Sequence, residues 1–237
     1  MIAKLFVIGS PGCGKSTAAC YIRSLLKVYG WSSDRINDYQ ILREMFLEEE
    51  RNAGANRWFK ASDHNGFDIL NFTAFDVALQ LLEKRAAELV AQNETTSASK
   101  PLFLIIEFAR NDYVKAFQLF SPEFLQDAYF LYLETPVETC KKRIQARIAK
   151  PENKQTEDDY YVSDYIFEAY YDLENDESLT EVLEKDCKIE RKRIIVLRNN
   201  EELKVIFQEI ATFIRYITND MMGLSLKGHL KTVSESA

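Results

Sequence analysis

The stretch Gly9-Ser10-Pro11-Gly12-Cys13-Gly14-Lys15-Ser16-Thr17 decides the fold of this chain of 237 residues. It fits the pattern G-x-x-x-x-G-K-[ST], in which a glycine-rich turn joins a buried strand to a helix. A short, nearly continuous apolar run, 3–8 (AKLFVI), comes directly before it, and a segment with helical spacing of apolar residues, 16–28, follows. The motif therefore stands in the strand–turn–helix context that the pattern requires.

The residue types of this turn suit a phosphate group. Glycines let the backbone turn successive N–H groups inward around an anion, and the N-terminal end of the following helix adds positive charge. Lys15 is expected to reach the β- and γ-phosphates of ATP, and the Ser16 hydroxyl is expected to bind Mg²⁺. Three of the eight glycines fall within six residues, which a purely structural turn would not require. We therefore predict a nucleotide site at 9–17, the alternative being a degenerate loop that binds nothing.

Further apolar runs alternate with helical segments along the rest of the chain. The strand-like runs are 35–37, 102–108, 128–134 and 194–197, and the helical segments are 39–51, 72–92, 136–150 and 200–218. Because strands that alternate with helices form βαβ units, the pattern predicts an α/β fold, a doubly wound, five-stranded parallel sheet with helices on both faces. We expect one domain over residues 1–218 and a flexible tail at 219–237.

Composition narrows the class of protein further. The chain has 30 Lys and Arg against 37 Asp and Glu, a net charge of −7, which disfavours duplex nucleic acid as a partner because phosphate contacts need basic surface. The apolar run at the N-terminus ends at Gly9, so neither a signal peptide nor a membrane span is expected. No two of the four cysteines have C-x-x-C spacing, so neither a disulfide framework nor a zinc site is expected. We predict that the thiols are reduced and that the protein is cytoplasmic.

One segment, 148–190, departs from this average composition. Residues 150–190 hold 14 Asp and Glu against 4 Lys and no Arg, together with five of the 12 tyrosines. Such a segment can be a solvated helical insertion whose tyrosines pack on the sheet. It can also be a lid over the site, and the sequence leaves both interpretations open.

The sequence GSPGCGKST, with the acidic and arginine positions that follow it, resembles the P-loop kinases, the group that includes nucleoside and nucleoside-monophosphate kinases. The sequence has no N-K-x-D and no L-S-G-G-Q signature, which disfavours GTPases and ABC ATPases. The resemblance implies an ATP- and Mg²⁺-dependent phosphotransferase in which residues 9–17 hold the nucleotide.

Two carboxylates and an arginine stand at the ends of predicted strands. The resemblance implies that Asp38, after the second strand, acts as a base toward the acceptor hydroxyl, and capping the next helix is the alternative. Glu107 ends the third strand, where a buried charge is costly unless it is paired, and the resemblance implies that it holds the water shell of Mg²⁺. Arg110 follows three residues later and resembles the arginine of nucleotide kinases that contacts the phosphate of the acceptor.

A pair of arginines lies on the helix that begins after Pro136. Arg143 and Arg147 are four residues apart and therefore share one face of that helix. They resemble the arginine pair that enters the lid of nucleoside kinases, where guanidinium groups stabilise charge on the transferring phosphoryl group. A solvated arginine pair is the alternative.

An insertion, 48–75, would lie in the acceptor-binding position of this family. Arg57, Phe67 and neighbouring aromatic side chains suit the recognition of a planar ring, although aromatics at loose helical spacing are more often part of a core. The expected partner is a small-molecule phosphoryl acceptor, a nucleoside or a nucleotide. The alternatives are a kinase of a sugar or an activated sugar, similar to zeta toxins, and a non-catalytic module that responds to ATP. The sequence leaves a homodimer open.

Overall fold

The computed structural model describes residues 1–52, 57–95, 100–151, 156, 158–171, 179–199 and 203–223. Its strands are β1 (Ile2–Ile8), β2 (Ser32–Asn37), β3 (Phe59–Ala61), β4 (Phe67–Ile69), β5 (Leu102–Phe108), β6 (Ala128–Glu134) and β7 (Ile194–Arg198). Its helices are α1 (Lys15–Val28), α2 (Asp38–Asn52), α3 (Thr73–Thr95), α4 (Tyr113–Gln118), α5 (Pro122–Gln126), α6 (Val137–Ile148), α7 (Asp164–Ile166), α8 (Leu179–Lys185) and α9 (Leu203–Met221). A π-helical turn, Phe167–Tyr171, continues α7.

Five strands form one sheet in the order β2-β5-β1-β6-β7, and every neighbouring pair is parallel. Side chains of a strand point alternately to the two faces of a sheet. In β1, Phe6 and Ile8 pack with side chains of α2 and α3, whereas Leu5 and Val7 pack with side chains of α1 and α9. The predicted α/β fold, a doubly wound parallel sheet with helices on both faces, is therefore confirmed.

Parallel pairing brings the carboxyl ends of all five strands to one edge of the sheet. The turn after β1, the first residues after β2 and β5, and the ends of β6 and β7 meet at this edge. In open parallel sheets, ligands bind in the crevice beyond the carboxyl ends of the strands. The edge is therefore where a site is expected.

The structure differs from the predicted elements at the edge of the sheet, in the insertion, and between β5 and β6, where the helices α4 and α5 were not predicted. Strand β2 begins at Ser32 rather than at residue 35, because its mostly polar residues pair with β5 through the backbone and leave no apolar run. Within residues 48–75, α2 extends to Asn52, and the strands β3 and β4 form an antiparallel hairpin that was not predicted.

The predicted end of the domain, at residue 218, can be compared with the structure, but most of the predicted tail cannot. Helix α9 ends at Met221, three residues after the predicted end, and most of the predicted flexible tail, from residue 224 on, lies outside the described residues. The domain limits 1–218 and 219–237 stay predictions. Among the helices that the structure describes, none is both long and apolar enough to cross a membrane.

Candidate active site

The loop after β1 has the backbone that its glycines predict. Gly12 and Gly14 have φ angles of +83° and +105°, a region that side chains with a Cβ rarely adopt. A Cβ on Gly12 would lie 2.5 Å from the carbonyl oxygen of Cys140, and a Cβ on Gly14 would lie 2.5 Å from Asn199 Nδ2. The loop is therefore closely packed against α6 and the end of β7, and both glycines are required there.

Lys15 and Ser16 begin α1 directly after this loop and are both buried. The Lys15 Nζ atom donates hydrogen bonds to the carbonyl oxygens of Gly9 at 2.6 Å and Ser10 at 3.0 Å. The ammonium group is therefore held over the loop by backbone groups of the loop itself. This places a positive charge beside the N-terminal end of a helix, where an anion is favoured.

Asp38 is the first residue of α2 and forms a buried ion pair with Arg110. Its Oδ2 atom accepts hydrogen bonds from Arg110 at 2.5 Å and from the backbone N–H of Ala109 at 3.3 Å. The cap of α2 is the preceding residue, because Asn37 Oδ1 accepts a hydrogen bond from the Gln40 N–H at 2.8 Å. The capping alternative for Asp38 was therefore wrong, and its carboxylate faces β5 instead.

The guanidinium group of Arg110 forms hydrogen bonds and a cation–π contact with several groups of the protein. Besides Asp38, its guanidinium donates to the carbonyl oxygens of Phe75 at 2.6 Å and Ala109 at 2.5 Å. The cation also lies 4.8 Å from the centre of the Phe75 ring. Only 3% of Arg110 is exposed. Its predicted contact with an acceptor phosphate stays a prediction, and the structure gives this arginine the further role of holding Asp38.

Glu107 and Arg35 face each other on the neighbouring strands β5 and β2. Arg35 donates to both carboxylate oxygens of Glu107 and to both oxygens of Asp158, at 2.9 and 2.7 Å for the latter. Burial would lower the pKa of Arg35, but hydrogen bonds to Asp158 and Glu107 outweigh it and raise this pKa. Burial raises the pKa of Glu107, and the positive charges of Arg35 and Lys15 oppose this rise. Glu107 lies beside Val7 in the register of β5 and β1, two residues before the loop.

A cavity that is partly open to solvent adjoins the loop and Asp38, and its empty volume is about 460 Å³ when the solvent space at its mouth is included. Aromatic rings dominate its lining. Tyr160 stacks on Tyr39 with ring centres 3.7 Å apart, and Tyr39 stacks on Phe67 at 5.5 Å. The remaining lining residues are Pro11, Asp38, Leu42, Ile69, Phe75, Ala109, Tyr161, Val162, Ile166 and Tyr171.

Of the two substrate residues predicted in the insertion, one lies at the cavity and the other does not. Phe67 lines the cavity, as just described. Arg57 does not line it, and its side chain is 59% exposed and lies 3.7 Å from Glu50 in a surface ion pair. Its predicted contact with the substrate stays a prediction that the structure does not support.

The arginine pair of α6 lies on the side of the loop. Arg143 donates to the carbonyl oxygens of Cys13 at 3.4 Å and Asn199 at 3.0 Å. Burial and the charge of Asp38 raise the pKa of Tyr160, and the charge of Arg147 opposes them. Both arginines are half-buried, and the predicted role of the pair in phosphoryl transfer stays a prediction.

Several residues of the site were missed by the sequence interpretation. Arg35 and Asp158 were not singled out because one lies in a weak strand and the other in a long acidic segment. Asn199 was missed although it directly follows the last strand, at the same edge as Asp38 and Glu107. Its place in the strand order was the signal that could have found it.

The parallel sheet and its glycine-rich loop define this chain as a P-loop kinase-like NTPase. Residues 5–161 match the family described as AAA domain, and the chain belongs to this family. No curated protein matches the sequence. The loop at residues 9–17 is called the P-loop from here on.

Solved structures of low sequence identity resemble the chain. Kti12 of Chaetomium thermophilum, solved in complex with ADP-AlF3, has a TM-score of 0.51 and 12% identity, covering 90% of this chain and 98% of that chain. Shikimate kinase of Acinetobacter baumannii has a TM-score of 0.42 and 14% identity, covering 96% and 97% of the two chains. APS kinase of Mycobacterium tuberculosis has a TM-score of 0.46 and 15% identity, covering 90% and 97%.

The residues present fit the nucleotide and Mg²⁺ that this fold implies. The positive φ angles of Gly9, Gly12 and Gly14 give the P-loop a backbone conformation that suits a phosphate cradle, and Lys15 supplies a charge beside it. No group of three or more metal-ligating side chains occurs in the part of the chain that the structure describes. Mg²⁺ in kinases takes most of its ligands from phosphate and water, so one hydroxyl, that of Ser16, is an adequate protein ligand.

Proposed function

We propose that the protein is an ATP- and Mg²⁺-dependent phosphotransferase that acts on a small-molecule acceptor, a nucleoside or a nucleotide. The observation that carries this proposal is that Pro11 of the P-loop and the carboxylate of Asp38 line the same cavity. A phosphoryl donor on the P-loop and an acceptor in the cavity would therefore meet at Asp38. Positioning of this kind is the main source of catalysis in phosphoryl transfer.

The residues around the P-loop have different roles in the proposed reaction. Lys15 and the backbone N–H groups of the P-loop bind the phosphates. The Ser16 hydroxyl and Glu107, the latter through water, would hold Mg²⁺, which would supply positive charge for the phosphate oxygens. Asp38 orients the acceptor hydroxyl and accepts its proton. Arg143 and Arg147 stabilise the negative charge that develops on the transferring group.

The lining of the cavity favours a planar, uncharged acceptor. Burial raises the pKa of Tyr39 to about 12 and also raises the pKa values of Tyr160 and Tyr171, so these tyrosines remain neutral. Among the described lining residues, Asp38 is the one with a carboxylate, and none is a lysine or an arginine. Stacked aromatic rings suit a nucleobase. These features support a nucleoside before a nucleotide, and both before a sugar without an aromatic ring.

A non-catalytic module that responds to ATP is the second candidate. Asp158 joins the acidic segment to Arg35, and Arg35 holds Glu107 beside the P-loop. A nucleotide that rearranges Glu107 would thereby act on this segment. Limited proteolysis separates the candidates, since a module should change its protease sensitivity around residues 150–190 with ATP alone, whereas an enzyme should consume ATP when an acceptor is added.

The test of the proposed kinase is a panel of nucleosides, nucleotides and sugars. Thermal shift with an ATP analogue selects acceptors, and a coupled assay then measures ADP formation. We expect turnover that requires an acceptor and is abolished in Lys15→Ala. Lys27→Ala, which removes an exposed lysine from the last turn of the same helix, is the matched control and should behave as wild type. Absence of acceptor-dependent ADP formation across the whole panel would contradict the proposal.

A further inference from the structure

One carbonyl oxygen of the P-loop, that of Cys13, receives side-chain hydrogen bonds from three different elements. Asn199 Nδ2, at the end of β7, donates at 2.6 Å. Thr135 Oγ1, directly after β6, donates at 3.3 Å, and Arg143, on α6, donates at 3.4 Å. A carbonyl oxygen has two lone pairs, so the short hydrogen bond from Asn199 is the main one, and the longer bonds from Thr135 and Arg143 share the remaining lone pair.

Asn199 is itself fixed through its backbone. Its N–H donates to the carbonyl oxygen of Glu134 at 2.7 Å, and its own carbonyl oxygen accepts from Arg143 at 3.0 Å. Its Nδ2 atom also occupies the space where a Cβ of Gly14 would lie. The side-chain amide is therefore held against the Cys13–Gly14 peptide from a rigid edge of the sheet.

The orientation of this peptide decides where the Gly14 N–H points. In a trans peptide, the carbonyl and the N–H of the next residue point in opposite directions. Because the Cys13 carbonyl is directed at the ends of β6 and β7, the Gly14 N–H is directed away from them. We propose that Asn199, with Thr135 and Arg143, forms a peptide clamp that keeps the Gly14 N–H directed into the phosphate cradle.

This inference rests on the proposed nucleotide binding and adds residues that the P-loop motif does not contain. Asn199 is a positioning residue, since it acts on phosphate through the Cys13–Gly14 peptide. Without the clamp, the peptide can rotate, and a carbonyl dipole replaces an N–H donor in front of the phosphates. The clamp thus determines affinity for phosphate groups, whatever base or sugar carries them.

Asn199→Leu tests the clamp because leucine keeps the approximate volume and removes the donor. Calorimetric titration with inorganic tripolyphosphate and with ATP, both with Mg²⁺, should show about a tenfold rise in Kd for each, which equals about 1.4 kcal/mol. The KM for the acceptor should not change. The control is Arg198→Gln, one residue earlier, whose exposed side chain pairs with Glu134. Circular dichroism and thermal melting establish that each variant is folded.

Two results with a folded Asn199→Leu protein would overturn the clamp. One is wild-type affinity for tripolyphosphate, and the other is weaker binding of ATP alone, which would place Asn199 at the base or sugar. If this variant does not fold, a comparison of Thr135→Val with Thr135→Ser tests the clamp instead, because serine keeps the hydroxyl donor and valine lacks it. We expect Thr135→Val to bind tripolyphosphate about threefold more weakly than Thr135→Ser, and equal affinities would refute the clamp. A wild-type protein that binds neither probe would refute the proposed function as well.

Discussion

Replacement of Asp38 by asparagine separates the stabilising role of this residue from its proposed role in catalysis. Asparagine keeps an acceptor oxygen for Arg110 and Ala109 but removes the negative charge. The side chain of Arg110 is 2% exposed, so its guanidinium keeps the carbonyl oxygen of Phe75 and loses its anion. A hydrogen bond to a charged group contributes about 1.5–3 kcal/mol. We therefore expect the free energy of unfolding to fall by about 2 kcal/mol, or roughly 4–8 °C in Tm.

The expected loss of activity is larger than this loss of stability. A positioned acid or base contributes roughly 10²–10⁴-fold, so kcat should fall at least about 100-fold, with the Mg²⁺ dependence near normal. Native domains have free energies of unfolding of about 5–15 kcal/mol, so Asp38→Asn should remain almost fully folded at 25 °C. Urea unfolding followed by circular dichroism measures the free energy of unfolding, and a coupled assay with saturating acceptor measures kcat.

The double variant Asp38→Asn/Arg110→Met distinguishes catalysis from an unpaired buried charge. Replacing both members of a buried ion pair is often neutral, whereas removing one member is strongly destabilising. The double variant should therefore recover stability relative to Asp38→Asn and should not recover kcat. Recovery of kcat would show that the charge left on Arg110 caused the loss. A folded Asp38→Asn protein with wild-type kcat would refute the role of Asp38 directly.

Three further predictions concern the charges around the P-loop. Lys15→Ala should lose about 3 kcal/mol or more of transition-state stabilisation, measured as kcat/KM for ATP against Lys27→Ala, and unchanged turnover would refute the assignment of the P-loop. Glu107→Gln should raise the Mg²⁺ concentration required for half-maximal rate while Asp38→Asn does not, and the reverse pattern would exchange their roles. Arg147→Ala should lower kcat far more than ATP affinity, whereas a change in affinity alone would make it a ground-state contact.

The regular part of the fold could be predicted because its signal is local. Strands β5 and β6 are long apolar runs whose predicted limits agree with the structure, since both faces of these strands are covered by helices. The hairpin of β3 and β4 was missed because three-residue strands contain too few residues for a period to be visible. Strand β2 lies at the edge of the sheet, where backbone pairing rather than burial fixes its start.

The site could be predicted where the fold alone brings residues together. The P-loop is contiguous in sequence, and Asp38 and Glu107 stand at the carboxyl ends of strands that must meet in a parallel sheet. Their partners depend on side-chain packing between distant segments, and Arg35 and Asp158 are 123 residues apart in the chain. Nothing in a local pattern predicts such a pair. The same holds for Arg110, because its place after the third predicted strand could be read from the sequence but its ion pair with Asp38 could not.

The acidic segment contributes to the site itself, and this bears on which acceptors the cavity can hold. Its described residues reach the site through Asp158, which binds Arg35, and through Tyr160, which stacks on Tyr39 in the cavity lining. Tyr160 thus packs on the cavity as the first interpretation expects of the tyrosines, and the role of the segment as a lid stays a prediction. Asp158 and Glu107 share the positive charge of Arg35, and Lys15 also acts on Glu107, so this cluster has no net charge when all four groups are ionised. The lining of the cavity holds one carboxylate, that of Asp38, and no lysine or arginine among the described residues. In the proposed kinase, we therefore expect the cavity to favour an uncharged nucleoside over an acceptor that carries phosphate, and salt should reduce this discrimination.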